Sequence, residues 1–159
     1  MSSRDVLSLD EQLCFAVVAA SRALTRAYGP LLEPLGVTYP QYLTLLVLWE
    51  EDGASVKRLG ERLSLDSGTL TPLLKRLEQQ GLVERRRSEA DERVVHVHLT
   101  AEGKALKARA KKVPGALARC AGFALDDAKQ VAHLRRLREE LHALTERLAS
   151  GDGGAERDA

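Results

Sequence analysis

Cys14 and Cys120 are the residues of this chain best suited to covalent chemistry, and 105 residues lie between them. That spacing forms no CxxC pair and no zinc-ligand pattern. In a reducing compartment both are expected to be thiols at rest. Free cysteine is often only a small buried hydrophobe, so the reactive thiolate needs a place that favours an anion, such as the start of a helix. His96 and His98 fall on one face of a predicted strand, without carboxylate or cysteine partners at a recognised metal spacing, so no metal is expected. Neither a glycine-rich phosphate loop nor a nucleophile elbow is present. The chain therefore offers no catalytic set and no cofactor site, and it does not read as an enzyme.

A second chemistry, contact with nucleic acid, is spread along residues 55–99. Leu70, Leu73, Leu74 and Leu77 recur at the spacing of one buried helical stripe. At about 100° per residue, the opposite side carries Gly68, Thr71, Pro72, Lys75 and Gln79, with Ser67, Thr69 and Arg76 at its margins. Hydroxyls near a helix start can donate to phosphates or base edges, and the helix N-terminus itself favours an anion. Lys75 and Arg76 supply phosphate charge, and either can reach a guanine. Pro72 removes a helical hydrogen bond, so either the helix starts near Thr69 or it bends at Pro72.

Arg85, Arg86 and Arg87 follow in a predicted strand, where alternation sends Arg86 to the face opposite Arg85 and Arg87. Arg93 closes a polar loop, SEADER, before a second strand, VVHVHL. Such a loop can lie along a minor groove with an arginine inserted, and Asp91 is placed to hold Arg93 by an ion pair.

The elements that must position these groups follow from the same pattern. SVKRLGERLSL and DSGTLTPLLKRLEQQ read as two short helices, Gly81 ends the second, and the two strands form a wing. Helix, turn, helix and wing is the order of a winged helix-turn-helix, whose second helix enters a major groove. Upstream, Ser8 and Glu11 suggest a capping box opening a helix through LCFAVVAASRALTRAY, which is apolar almost all round. GPLLEPLG is expected to break the chain. Thr38 or Tyr39 starts a helix, PQYLTLLVLWE, packed under the DNA module, with Tyr42 in its core and Trp49 filling the core beneath. After the wing, a long helix is expected from Thr100 to about Cys120. The segment FALDDAKQVAHLRRLREELHALTERL gives another helix, in which Leu134, Leu137, Leu141, Leu144 and Leu148 form a seam that wants a partner. The helices within 8–30 and 100–148 both seek apolar partners, so a homodimer is expected, reading a palindromic double-stranded site with recognition helices roughly 34 Å apart. Residues 151–159 are polar and glycine-rich and are expected to be disordered.

Composition limits the remaining choices. At 159 residues the chain is one domain, or one domain with helical extensions, and its net charge of +1 demands that any basic footprint be local. No apolar run reaches membrane-spanning length and the start MSSRDVLSLDEQ lacks a signal-peptide core, which points away from the membrane and to the cytoplasm.

Up to about Leu148 the chain resembles MarR-type transcriptional regulators, and more narrowly the organic-hydroperoxide-sensing OhrR repressors among them. The strings that carry the resemblance are LDEQLCFAVVAASRALTRAY, LLEPLGVTYPQYLTLLVLWE and LDSGTLTPLLKRLEQQGLVERRRSEADERVV. The resemblance implies a mainly α fold with a β wing over residues 8–148, dimerised by its N- and C-terminal helices. It makes residues 67–77 the recognition helix and Arg93 of the Asp91-Glu92-Arg93 signature the minor-groove arginine. It implies a repressor of a peroxide-detoxification gene that releases its operator when Cys14 is oxidised by an organic hydroperoxide. Tyr28 and Tyr39 match the tyrosines that hydrogen-bond the sulfur across the dimer, while Val18 stands where a third is often found. Cys120 corresponds to the resolving thiol of the two-cysteine members. The apolar neighbours Leu13, Phe15 and Val17 favour organic hydroperoxide over hydrogen peroxide. Two other readings stay open: a regulator released by a small lipophilic or phenolic ligand with Cys14 a bystander, and, more distantly, a thiol peroxidase.

Overall fold

The computed structural model describes residues 6–150, so the tail 151–159 lies outside the described residues. The chain divides after Pro114 into two units.

In the first unit, Leu9–Glu11 is a single 3-10 turn and helix α1 spans Leu13–Leu32. The expected capping box is not formed: the Ser8 side chain makes no cap bond, and Gln12 occupies the extended position before the helix. GPLLEPLG does not break the chain where expected either. Helix α1 carries Gly29 and Pro30 in its last turn, because a proline there removes only one carbonyl's donor. The stop comes later, through a 3-10 turn at Glu33–Leu35 and Gly36, whose φ of 70° is left-handed.

Helix α2 (Tyr39–Glu50) follows, with the Thr38 N–H donating back to Gln41 Oε1 at 2.8 Å. Helices α3 (Val56–Leu63) and α4 (Ser67–Gln79) are joined by a three-residue turn in which Ser64 adopts a left-handed φ of 52°. Their first turns are capped by side chains, Ser55 accepting from the Arg58 N–H at 3.1 Å and Asp66 from the Thr69 N–H at 2.9 Å. Helix α4 starts at Ser67, so Pro72 lies in the second turn rather than the first. Its missing N–H leaves the Gly68 carbonyl without a helical donor, but on the exposed side, where water can reach it.

Strands β1 (Val83–Arg87) and β2 (Val95–Leu99) pair antiparallel from Val83↔Leu99 to Arg87↔Val95, and the Ser55↔His96 bridge adds a short third edge. The core beneath is made of Tyr42, Leu45 and Leu48 from α2, Leu59 from α3, Leu70, Leu74 and Leu77 from α4, and Val83 and Val97 from the wing. The four-leucine stripe of α4 is buried as its period requires.

Thr100 caps helix α5 (Ala101–Ala110) by accepting from the Gly103 N–H at 3.1 Å. A Cβ on Gly103 would stand 2.1 Å from the Leu82 carbonyl oxygen, so only glycine lets α5 approach the base of β1. Trp49 packs against the core beneath the recognition module rather than filling it. It lies half-buried at the margin, where its indole N–H donates to the Gly103 carbonyl at 2.9 Å, because a buried indole needs an acceptor. The expected long helix to Cys120 is two: α5 ends at Ala110, and α6 spans Val113–Cys120. Pro114 cannot donate to the Ala110 carbonyl, and it sits in the first turn of α6, where a proline needs no donor.

In the second unit, α6 ends in a turn at Gly122 (φ 80°), with the Phe123 N–H returning to the Ala118 carbonyl at 2.9 Å. Helix α7 (Ala128–Ala149) begins later than FALDD suggests, because Asp127 caps it, accepting from the Lys129 N–H at 2.8 Å. Of its leucine seam, Leu137 and Leu141 are each 43% exposed and Leu148 71%, while Leu134 and Leu144 are half-buried. Among the described residues no helix is long and apolar enough to cross a membrane.

Candidate nucleic-acid interface and thiol sites

Helix α4 presents Ser67, Gly68, Thr69, Thr71, Pro72, Lys75 and Arg76 on its exposed side, opposite the buried leucines. The wing places Arg93 at its tip, 91% exposed. Asp91 holds that arginine as expected: its Oδ1 accepts from the Arg93 backbone N–H at 3.0 Å and from Nε at 3.2 Å. These bonds, the backbone one first, keep the Asp91 carboxyl below its usual range. Arg93 Nη2 makes a longer bond to Asp91 Oδ2 at 3.5 Å, and the guanidinium stays exposed.

The other arginines are more committed. Arg85 spans the gap between wing and helix, donating from its backbone N–H, Nε and Nη2 to the Glu78 carboxylate, with the shortest of these at 2.6 Å. Glu78 is held below the usual carboxylate range by that guanidinium. Arg86 pairs with Glu84 on the same strand, so its charge is half spent before any phosphate arrives. On α3, Arg58 and Arg62 are bound by Glu50 and Glu51. Among the described residues of this module, Lys57, Lys75, Arg76 and Arg87 carry charge outside these ion pairs, and Arg93 adds an exposed guanidinium beside Asp91. A cleft of about 820 Å³ runs between α3, α4 and the wing, its walls including Leu65, Leu70 and Val95.

Sequence reasoning passed over Asp66, Glu78 and Gln41. Asp66 is legible in retrospect, since an aspartate three residues before Thr69 is a helix cap. Its carboxylate occupies the start of α4, the place the sequence assigned to a phosphate. Gln41 is legible too, as the glutamine three residues after Thr38 in a capping box, but its partner Gln80 is not. Only 4% exposed, Gln41 accepts from Thr38 N–H and donates to Gln80 Oε1 at 2.9 Å, while Gln80 donates to the Gly36 carbonyl at 2.9 Å. This chain of amides joins the start of α2 to the end of α4.

Cys14 is the second residue of α1 and Cys120 the last of α6, and both are exposed free thiols. Tyr28 and Tyr39 stack with ring centroids 4.4 Å apart, and Tyr42 lies 5.7 Å from Tyr28. Burial first, then the neighbouring tyrosines, push the Tyr28 hydroxyl up to about 12, and burial also raises Tyr39 and Tyr42. All three are proton donors at neutral pH. Cys14 does not meet them within one chain: 14 residues of α1 separate Cys14 from Tyr28, about 21 Å of helical rise. Among the described residues no His, Cys, Asp or Glu cluster is arranged for a metal ion, and His96 Nδ1 instead lies 2.9 Å from the Gly53 carbonyl.

The family model described as transcriptional regulator SarA/Rot matches residues 26–110. The chain is 51% identical, over 87% of its length and 95% of the relative's, to the organic hydroperoxide resistance transcriptional regulator of Bacillus subtilis. It is 54% identical over 87% of its length to the transcriptional regulator TtmR of Methylorubrum extorquens, covering 72% of that protein. Among solved structures it is similar to AbfR of Staphylococcus epidermidis. Reduced, DNA-bound AbfR matches with a TM-score of 0.73 and 36% identity over 89% of this chain and 94% of AbfR. A disulfide-formed AbfR matches at 0.62 and 37% over 89% and 92%.

Proposed function

The chain belongs to the MarR and SarA/Rot type of winged-helix, DNA-binding transcriptional regulators, in the branch of the organic hydroperoxide regulators, and from that premise we propose that it is a homodimeric repressor switched by oxidation of Cys14. The observation that carries the reading is an exposed cysteine in the first turn of α1, in a chain this similar to a hydroperoxide-resistance regulator.

In the proposed reaction the Cys14 thiolate attacks the terminal oxygen of an organic hydroperoxide. The S–O bond forms as the O–O bond breaks, and the alkoxide leaves with a proton as alcohol. Sulfur is oxidised to sulfenic acid and the peroxide is reduced. The partner subunit supplies the donors: the Tyr28 and Tyr39 hydroxyls, protonated at neutral pH and paired by their stacking, bond the sulfur. Cys120 of the other subunit then attacks the sulfenic sulfur, the S–S bond forms, and water leaves. A disulfide requires Cα atoms within about 7 Å, so the helices carrying the two thiols shift on oxidation and displace the DNA modules. Exposed apolar side chains on α1 (Leu13, Phe15, Val18) and on α7 (Leu137, Leu141, Leu148) support dimerisation through these helices. The disulfide-formed state of AbfR supports the second thiol step by similarity.

In the reduced state, α4 lies in the major groove with Ser67, Gly68, Thr69, Thr71 and Pro72 against the DNA and Lys75 and Arg76 on phosphate or guanine. Arg93, held by Asp91, reaches the minor groove, and Arg86 contributes charge in part. Two such modules read a palindromic operator. The cleft between α4 and the wing favours one competing reading, release by a small lipophilic ligand with Cys14 uninvolved.

Peptide mass mapping after one equivalent of cumene hydroperoxide tests the proposal. The expected product is a reducible peptide pair joining residue 14 of one chain to residue 120 of the other, lost in Cys14→Ser and in Cys120→Ser. DNA release while Cys14 remains a free thiol would replace the redox reading by the ligand reading.

A further inference from the structure

Two hydroxyls near the start of α4, those of Thr69 and Thr71, turn their protons inward. The Thr69 hydroxyl donates to Asp66 Oδ2 at 2.9 Å while the Thr69 backbone N–H donates to Oδ1 of the same carboxylate at 2.9 Å. The Thr71 hydroxyl donates to the Ser67 carbonyl at 2.7 Å. The direction of both bonds is fixed by their partners. A carbonyl has no proton to give, and the Thr69 N–H and hydroxyl hold the Asp66 carboxyl below its usual range, so it is an anion at neutral pH. A threonine hydroxyl has one proton and two lone pairs. With the proton bound inward, Thr69 and Thr71 offer the outside only acceptors, and both residues are exposed.

Phosphate oxygens, guanine O6 and N7, and thymine O4 are themselves acceptors and cannot satisfy such groups. In the major groove the donors are the amino groups of adenine N6 and cytosine N4. We propose that Thr69, seconded by Thr71, is a specificity-determining residue that accepts from a base amino group, so that the strand facing the leading turn of α4 carries adenine or cytosine there rather than guanine or thymine. The inference rests on α4 being the DNA-reading helix. Asp66 acts on specificity through Thr69 as a positioning residue. It fixes the hydroxyl, and its charge repels a phosphate from the start of the helix. Phosphate and guanine contacts fall instead to Lys75 and Arg76, which are donors only.

Selection of binding sites from a random duplex library, with the full-length protein and with Thr69→Val and Thr71→Val, tests this. The wild type is expected to enrich adenine and cytosine over guanine and thymine at a strand position in each half-site, and Thr69→Val to lose that preference while keeping the rest of the motif. Asp66→Ala frees the hydroxyl to donate and is expected to admit guanine or thymine at the same position. A second measurement needs no protein variant. Replacing the preferred adenine by purine, or the cytosine by 2-pyrimidinone, removes the amino group alone and is expected to weaken wild-type binding about fivefold. The same replacement is expected to leave Thr69→Val binding unchanged. A keto base at the position lost in Thr69→Val, or motifs unchanged in both threonine variants, would overturn the proposal. If the wild type enriches no motif at all, the reading of α4 itself fails, and the proposal with it.

Discussion

Tyr28, in α1, and Tyr39, at the start of α2, stack at 4.4 Å with 21° between their planes, so two hydroxyls from different helices are set side by side. Their common burial keeps both phenols protonated well above neutrality. A spectrophotometric titration at 295 nm is expected to show little tyrosinate at pH 10, where an unperturbed tyrosine is half-ionised. Folding holds the Tyr28 proton up to about 12 against an ordinary 10.0, so this contribution to stability is complete below pH 10 and lost as pH rises to about 12. Half-ionised tyrosines at pH 10 in a folded protein would contradict the packing described.

The same pair is proposed to donate to Cys14 of the partner. Tyr28→Phe and Tyr39→Phe are each expected to slow thiol loss under cumene hydroperoxide by about tenfold, the scale of one hydrogen bond to an anion. DNA affinity of the reduced protein is expected to stay within twofold. Thiol loss at the wild-type rate in both variants would remove the tyrosines from the chemistry.

Arg93 is exposed, and Asp91 anchors its backbone N–H and Nε. Arg93→Ala is expected to reduce the slope of log Kobs against log salt by about two phosphates' worth per dimer, one from each subunit, and Asp91→Ala by less. Neither change is expected to move Tm, because the pair is solvent-exposed. An unchanged salt slope in Arg93→Ala would place the wing tip off the DNA.

Gln41 and Gln80 bridge the start of α2 and the end of α4 through one 2.9 Å bond. Gln80 is exposed, so removing it strands the buried Gln41 amide, while removing Gln41 takes the acceptor from the Thr38 N–H as well. Gln41→Ala is expected to cost about 1–3 kcal/mol in urea unfolding. The double substitution with Gln80→Ala is expected to cost less than the sum of the single ones. Strict additivity would mean that the two amides act independently.

Much of this fold was legible along the chain because its signals are local. The leucine period of α4 marked its buried stripe, the turn residues and alternation marked the wing, and the DER tripeptide placed Arg93 beside Asp91. Pro114 was equally visible, yet the reading carried one helix across it, where the lost bond to Ala110 divides α5 from α6. What could not be read is long-range. Gln41 and Gln80 are 39 residues apart, and Trp49 finds its acceptor on Gly103, 54 residues on. The direction of the Thr69 hydroxyl depended on its partner, Asp66, which the face pattern of α4 did not include. The thiol sites were legible only by resemblance, since an exposed cysteine carries no periodic signal.

Fluorescence anisotropy on the DNA upstream of the chain's own gene tests the central claim most directly. The protein would be measured reduced, after one equivalent of cumene hydroperoxide, and again after dithiothreitol. The account predicts tight binding, loss on oxidation, and recovery on reduction, with Cys14→Ser bound throughout. Binding by the wild type that is indifferent to the peroxide, while Cys14 is shown to be oxidised, would contradict it.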